Sequence, residues 1–160
     1  MQDEQTIIPV SYSQIDRALS KALGDMVGAE NRQCYMNAWR VVKRRGVKNA
    51  NYVEGLAMLP EFGYLTFEHA WVMIDGVVVD PTPIWHEDLK NASYFAVLTL
   101  PKGTLGRLRG FPVWLHDQKN AKYYARCFSR IQSECYRAVG MPELADLMDQ
   151  CRATYDALSR

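Results

Sequence analysis

The chain carries almost no net charge and contains no long apolar run. Nineteen Lys and Arg offset eighteen Asp and Glu, leaving a formal charge of +1. That balance argues against a dedicated nucleic-acid binder. No stretch approaches the roughly 18 apolar residues that cross a bilayer, so no membrane association is expected. The start, Met1-Gln2-Asp3-Glu4-Gln5, is polar and acidic and lacks the charged-then-apolar layout of a signal peptide. Cysteine is scarce: four residues without close pairing, which fits a reducing, cytoplasmic compartment. No Cys-x-x-Cys or His-x-x-x-His supplies zinc spacing, so no metal site is expected. Repeats, low-complexity tracts and linkers are also missing. The 160 residues are therefore expected to form a single domain of ordinary globular composition, 48% hydrophobic and 23% charged.

What is present is a thiol, an imidazole and a carboxylate in a suggestive context. Thr66 to Ile74 alternates and is rich in apolar and aromatic residues, so it predicts a strand; Asp75-Gly76 predicts a two-residue hairpin turn, and Val77 to Asp80 the return strand. With that turn Ile74 pairs with Val77, Trp71 with Asp80 and His69 with Thr82. All four of His69, Trp71, Asp80 and Thr82 then share one face. Asp80 becomes the diagonal neighbour of His69, about 7 Å away between backbones and within reach of an imidazole–carboxylate hydrogen bond. A three-residue loop would flip Asp80 to the other face, so the register depends on the Asp-Gly turn. Pro81 suits a strand end because it withdraws a ladder donor.

Cys34 precedes an apolar-periodic run of Met36, Ala38, Trp39, Val41 and Val42, with Gly46 as a stop after Lys43-Arg44-Arg45. It is thus expected in the first turn of a helix, where free amides and the positive dipole end favour thiolate over thiol. The same amides are candidates to hold the oxyanion of a tetrahedral intermediate, with Gln33 and Asn31 as candidate side-chain donors. Cys34 as nucleophile, His69 as base and Asp80 as its orienting partner form the parts of a cysteine acyl-transfer site.

A cysteine opening a helix, a His-Ala-Trp strand at His69-Ala70-Trp71 and a following Asp80-Pro81-Thr82 resemble the transglutaminase-like branch of the papain-like cysteine hydrolases. Tyr52-Val53-Glu54-Gly55-Leu56-Ala57 is similar to the strand that family places between the cysteine helix and the histidine. The resemblance covers about Asn31 to Pro83. It implies a catalytic Cys34, His69 and Asp80 drawn from a helix and two adjacent strands. The cysteine lead-in departs from the family: Asn31-Arg32-Gln33 stands where Gly-x-Cys and an aromatic are common.

Punctuation and periodicity give the remaining elements. Ser11 or Ser13 is expected to cap a first helix through about Val27, with Ile15, Leu19, Leu23 and Met26 on one face. The Cys34 helix follows, then strands near Asn51–Leu59, Thr66–Ile74 and Val77–Asp80. A short helix at Ile84–Lys90 leads to a strand at Tyr94–Leu100, a loop marked by Pro101, Gly103, Gly106 and Gly110, and an apolar segment at Phe111–Leu115. Two closing helices run from Asp117 to about Val139, stopped by Gly140, and from Pro142 to about Leu158. The expected class is α+β: helices packed on a small antiparallel sheet, a catalytic core over about 31–100 and a helical extension over about 111–160.

Several residues have plainer roles to weigh against these. A lone cysteine at a helix start is often a small buried hydrophobe, and His69 and Asp80 alone would pass as a core histidine and a turn former. Glu54 and Glu68 are expected as rim carboxylates, with Glu68 pointing away from His69. Trp71 is expected to pack the sheet against the Cys34 helix, with ligand stacking the lesser role, and Tyr52 and Tyr94 are expected in the core. His86 and His116 fall in polar surroundings. Cys127, Cys135 and Cys151 are expected as buried inert thiols. Lys43-Arg44-Arg45 and Arg107-x-Arg109 are expected as a solvated helix end and loop. Together the residues predict a cysteine-dependent acyl hydrolase or acyltransferase acting on a peptide, protein, amide or ester without a cofactor. The alternative is an inactive module of the same fold that holds a protein partner through its C-terminal helices.

Overall fold

The computed structural model describes residues 10–12, 15–60, 63, 65–83, 92–105 and 131–158. The fold is α+β. Its elements are β1 (Val10–Tyr12), α1 (Arg17–Val27), α2 (Cys34–Lys43), β2 (Ala50–Leu59), β3 (Leu65–Ile74), β4 (Val77–Val79), β5 (Ser93–Pro101), a single turn α3 (Lys102–Leu105), α4 (residues 131–138) and α5 (Pro142–Leu158). The expected helix at Ile84–Lys90, the segment Phe111–Leu115, the start of the helix from Asp117, and His86, His116, Cys127, Arg107 and Arg109 lie outside the described residues.

The strands form one antiparallel sheet in the order β1-β5-β2-β3-β4. The sheet curls strongly. β1 lies at one edge and pairs with β5, yet Ile15, three residues after Tyr12, bridges to Val78 on β4 at the opposite edge. Four strand spacings laid flat separate the edges by about 19 Å, whereas three residues reach at most about 11 Å. The sheet therefore has an inner and an outer face. Val53, Ala57, Trp71, Met73, Val78, Tyr94 and Ala96 fill the inner face. Helices cover the outer face. There α1 and α2 pack Leu23, Ala38, Val41 and Val42 on Tyr52, Ala70 and Val72, and α4 packs Ile131 and Cys135 on Leu56, Met58 and Phe95.

Expectations for Cys151, the cap of α1 and Trp71 are corrected: Cys151, expected as a buried thiol, is exposed on α5, while Cys135 is buried as expected. The cap of α1 is Asp16, whose Oδ1 accepts from Leu19 N at 2.8 Å; Ser11 lies in β1, a strand too short for alternation to announce. Trp71 does not pack the sheet against the Cys34 helix. Alternation sends it to the inner face, while Ala70 and Val72 meet α2. The expected loop after Pro101 opens with α3. The closing hairpin follows expectation: Gly140 takes φ +78, α5 starts at Pro142, and Arg137 joins the two helices through Glu134, Asp146 and Asp149. Among the described residues no helix is long and apolar enough to cross a membrane.

Candidate active site

The Asp75-Gly76 turn fixes the register on which the site depends. Both residues have positive φ, +49 and +83, as in the type I′ turn that matches strand twist. Ile74 pairs with Val77 and Val72 with Val79, so Asp80 follows opposite Trp71 on the inner face. β4 ends at Val79, and Asp80 leaves the ladder to be held by three other elements. Its amide donates to Ser20 Oγ of α1 at 2.9 Å, and that hydroxyl donates to the Asp16 carbonyl. Asp80 Oδ1 accepts from Thr82 N at 3.0 Å. Its Oδ2 accepts from Tyr94 Oη at 2.9 Å and meets His69 Nε2 at 2.5 Å.

His69 and Asp80 are 2% and 1% exposed, so water hardly competes for their contact. Trp71 stacks near the imidazole, centroids 6.3 Å apart and planes 19° apart; Phe67 and Tyr94 flank it. The stack has a backbone origin. Gly55 lies opposite His69 on β2, where the β2–β5 register shifts. A Cβ there would stand 2.0 Å from the Phe95 carbonyl oxygen and 2.9 Å from Trp71 Cη2. Only glycine allows both the bulge and the indole.

Cys34 is the first residue of α2 and is half-buried. Among the described residues the β3 edge beyond the end of β4 has no strand neighbour, and α2 begins beside it: Tyr35 Oη faces Glu68 Oε2 across a long 3.5 Å, and Asn37 Nδ2 donates to Thr82 Oγ1 at 3.3 Å. From this position Cys34 acts on the His69 ring and favours its charged form. Nε2 is engaged by Asp80, so Nδ1 is the nitrogen left for sulfur. Burial opposes charge on the ring, but Asp80 on one side and Cys34 on the other outweigh it and push His69 up to about 10. The ring is then an imidazolium at neutral pH, a partner that favours thiolate.

The chain enters α2 through a strained turn. Arg32 has φ +63, a conformation that costs a side-chain-bearing residue free energy and must be held by its surroundings. Asn37 supplies the hold: it accepts from Glu30 N at 3.1 Å and donates to Glu30 O at 2.7 Å. Asn37 N takes the Gln33 carbonyl as the first helical bond, 2.8 Å. The amides of Cys34 and Met36 precede that bond, in the first turn of the helix, where amides have no intrahelical acceptor.

The chain matches no family model, no curated protein and no solved structure.

Cys34, His69 and Asp80 come together; the other sequence candidates do not join them. Gln33 is exposed, its amide donates to Glu30 Oε2 at 2.8 Å, and it makes no cap bond. Asn31 is also exposed. Among the described residues, the donors that remain beside Cys34 are backbone amides at the start of α2. Trp71 is fully buried and touches the ring of His69, which leaves it no surface for a ligand. Glu54 is not a rim carboxylate: it is fully buried and accepts from Tyr52 Oη at 2.7 Å. Glu68 does point to the outer face, toward Tyr35. Burial and Glu54 raise the Tyr52 phenol well above its ordinary value, and burial with Glu68 does the same to Tyr35. Ser20, Asn37, Thr82 and Tyr94 were missed as positioning groups. Asn37 carried a signal, a polar residue on the apolar face of α2 three positions after Cys34; Ser20 carried a weaker one of the same kind.

Proposed function

We propose that this protein is a cysteine-dependent acyl hydrolase or acyltransferase with a transglutaminase-like arrangement of Cys34, His69 and Asp80. The supporting observation is one relay: a buried imidazole joined to Asp80 through Nε2 and held in its charged form by Asp80 and Cys34 together. The Cys34 thiolate attacks an amide or ester carbonyl, and its sulfur forms the new bond to carbon. The carbonyl oxygen gains charge and is met by the amides opening α2. The intermediate collapses as His69 delivers its Nδ1 proton to the leaving amine or alcohol, giving a thioester. Water or an amine then attacks with His69 as base, which releases an acid or a new amide and restores the thiolate–imidazolium pair. Asp80 keeps the ring in the tautomer and orientation that both half-reactions need. None of these steps calls for a cofactor. The four cysteines, without close pairing in the sequence, fit a reducing, cytoplasmic setting.

The test is iodoacetamide alkylation followed residue by residue by mass spectrometry, in wild type and His69→Ala. Cys34 is expected to react fast down to about pH 6 in wild type and to slow at least tenfold in the mutant near neutral pH. A Cys34 no faster than the exposed Cys151, and indifferent to His69, rules the proposal out. A partner-binding module of the same fold would then take its place.

A further inference from the structure

Asp80 Oδ2 carries two donors. His69 Nε2 approaches at 2.5 Å from β3 and Tyr94 Oη at 2.9 Å from β5. The second oxygen and the backbone amide of Asp80 are already held by Thr82 and Ser20, so the carboxylate cannot turn to separate the two. Donors that share one oxygen compete for its charge: each draws off density the other would otherwise feel. Tyr94 is 1% exposed, and burial with the Asp80 charge raises its phenol well above the ordinary value, so it stays a donor. Its ring also packs edge-on against Trp71, centroids 5.1 Å apart, which fixes the hydroxyl in place.

We propose that Tyr94 is a positioning residue for the Asp80–His69 pair: its hydroxyl anchors Oδ2 toward Nε2 and withdraws part of the carboxylate charge, setting how tightly His69 keeps its proton beside Cys34. The inference rests on the triad proposed above. Among the described residues, charged and titratable groups bearing on the pair include Cys34 from α2, Tyr94 from β5 and, through Tyr94, Arg17 from α1. Tuning matters in both half-reactions. A ring that grips its proton too firmly is a poor acid toward the leaving group, and one that grips it too weakly cannot hold the thiolate.

The experiment uses the full chain with 15N-labelled histidine. The His69 Nε2–H resonance and the midpoint of ring titration are followed in wild type, Tyr94→Phe, Tyr52→Phe and a protein with 3-fluorotyrosine at position 94. In Tyr94→Phe, Oδ2 loses the Tyr94 donor and more of its charge falls on His69. The Nε2–H signal is expected to move downfield and the proton affinity of the ring to rise about threefold to tenfold. Fluorotyrosine, a stronger donor that keeps the ring and the contact, is expected to shift both the other way, and it serves if the phenylalanine variant folds poorly. Tyr52→Phe removes a buried tyrosine–carboxylate bond on the outer face and leaves the His69 signals in place. A midpoint unchanged or lowered in Tyr94→Phe, or a shift matched by Tyr52→Phe, overturns the inference while leaving the triad standing. A wild-type ring already neutral near pH 7 overturns both.

Discussion

Asp80→Asn keeps the size of the side chain and an oxygen for Thr82 N while deleting the charge that faces His69. Burial, which lowers the imidazole's value, is then opposed by Cys34 alone, and the ring falls back toward its ordinary value of 6.5 from the native value of about 10. That difference corresponds to on the order of 5 kcal/mol of interaction with the charged ring. The new amide also presents a donor to Nε2, which favours the tautomer with hydrogen on Nδ1, the wrong one to receive a thiol proton. Loss of a tautomer-fixing carboxylate costs about 10⁴ in turnover in a serine triad, and a comparable loss of Cys34 reactivity is expected here. Breaking a buried pair also destabilises, by about 3–5 kcal/mol. Because the folded value lies above the unfolded one, the contribution of His69 to stability is complete below about pH 6.5 and fades as pH rises toward 10. Urea midpoints of the wild type should therefore fall across that window, and those of Asp80→Asn should lack the decline. Alkylation of Cys34 and 15N signals of His69, both at neutral pH, complete the assay. A variant whose His69 stays protonated and whose Cys34 reacts at the native rate refutes the assignment of Asp80.

Gly55→Ala is expected to cost at least about 2–3 kcal/mol, because the new methyl meets a backbone carbonyl 2.0 Å away that has no free direction to move; an unchanged urea midpoint contradicts this. Asn37→Ala removes three hydrogen bonds and frees the Arg32 turn, so a loss of about 2–3 kcal/mol and slower Cys34 alkylation are expected together. Burial and neighbouring Glu134 push Cys135 up to about 12, so it should resist iodoacetamide until urea unfolds the chain, whereas exposed Cys151 reacts in the native state. Asp16→Ala loses the cap of α1 and should lower stability by about 1 kcal/mol in thermal melts.

The hairpin and the helix that open the site were legible because local rules specify them. Asp75-Gly76 can adopt the two left-handed conformations a two-residue turn requires, and period-two alternation then puts His69, Trp71 and Asp80 on one face. An apolar stripe from Met36 to Val42 likewise requires α2 with Cys34 at its start. What local rules cannot carry is which face of the sheet is covered by what. Alternation says that Trp71 and Ala70 point opposite ways; only the curl, closed by Ile15 against Val78, makes the Trp71 side an interior. The same curl decides that Tyr94, from a strand two places away from β3, shares an oxygen with His69. Ser20 and Asn37 acquire their roles by long-range contact, sixty positions from Asp80 and forty-five from Thr82, distances over which no periodicity speaks. The sequence by itself determined the chemical groups and the strand register that aligns two of them. Tertiary structure decided their burial and their hydrogen-bond partners, because desolvation and shared acceptors exist only once distant segments exclude water from one another.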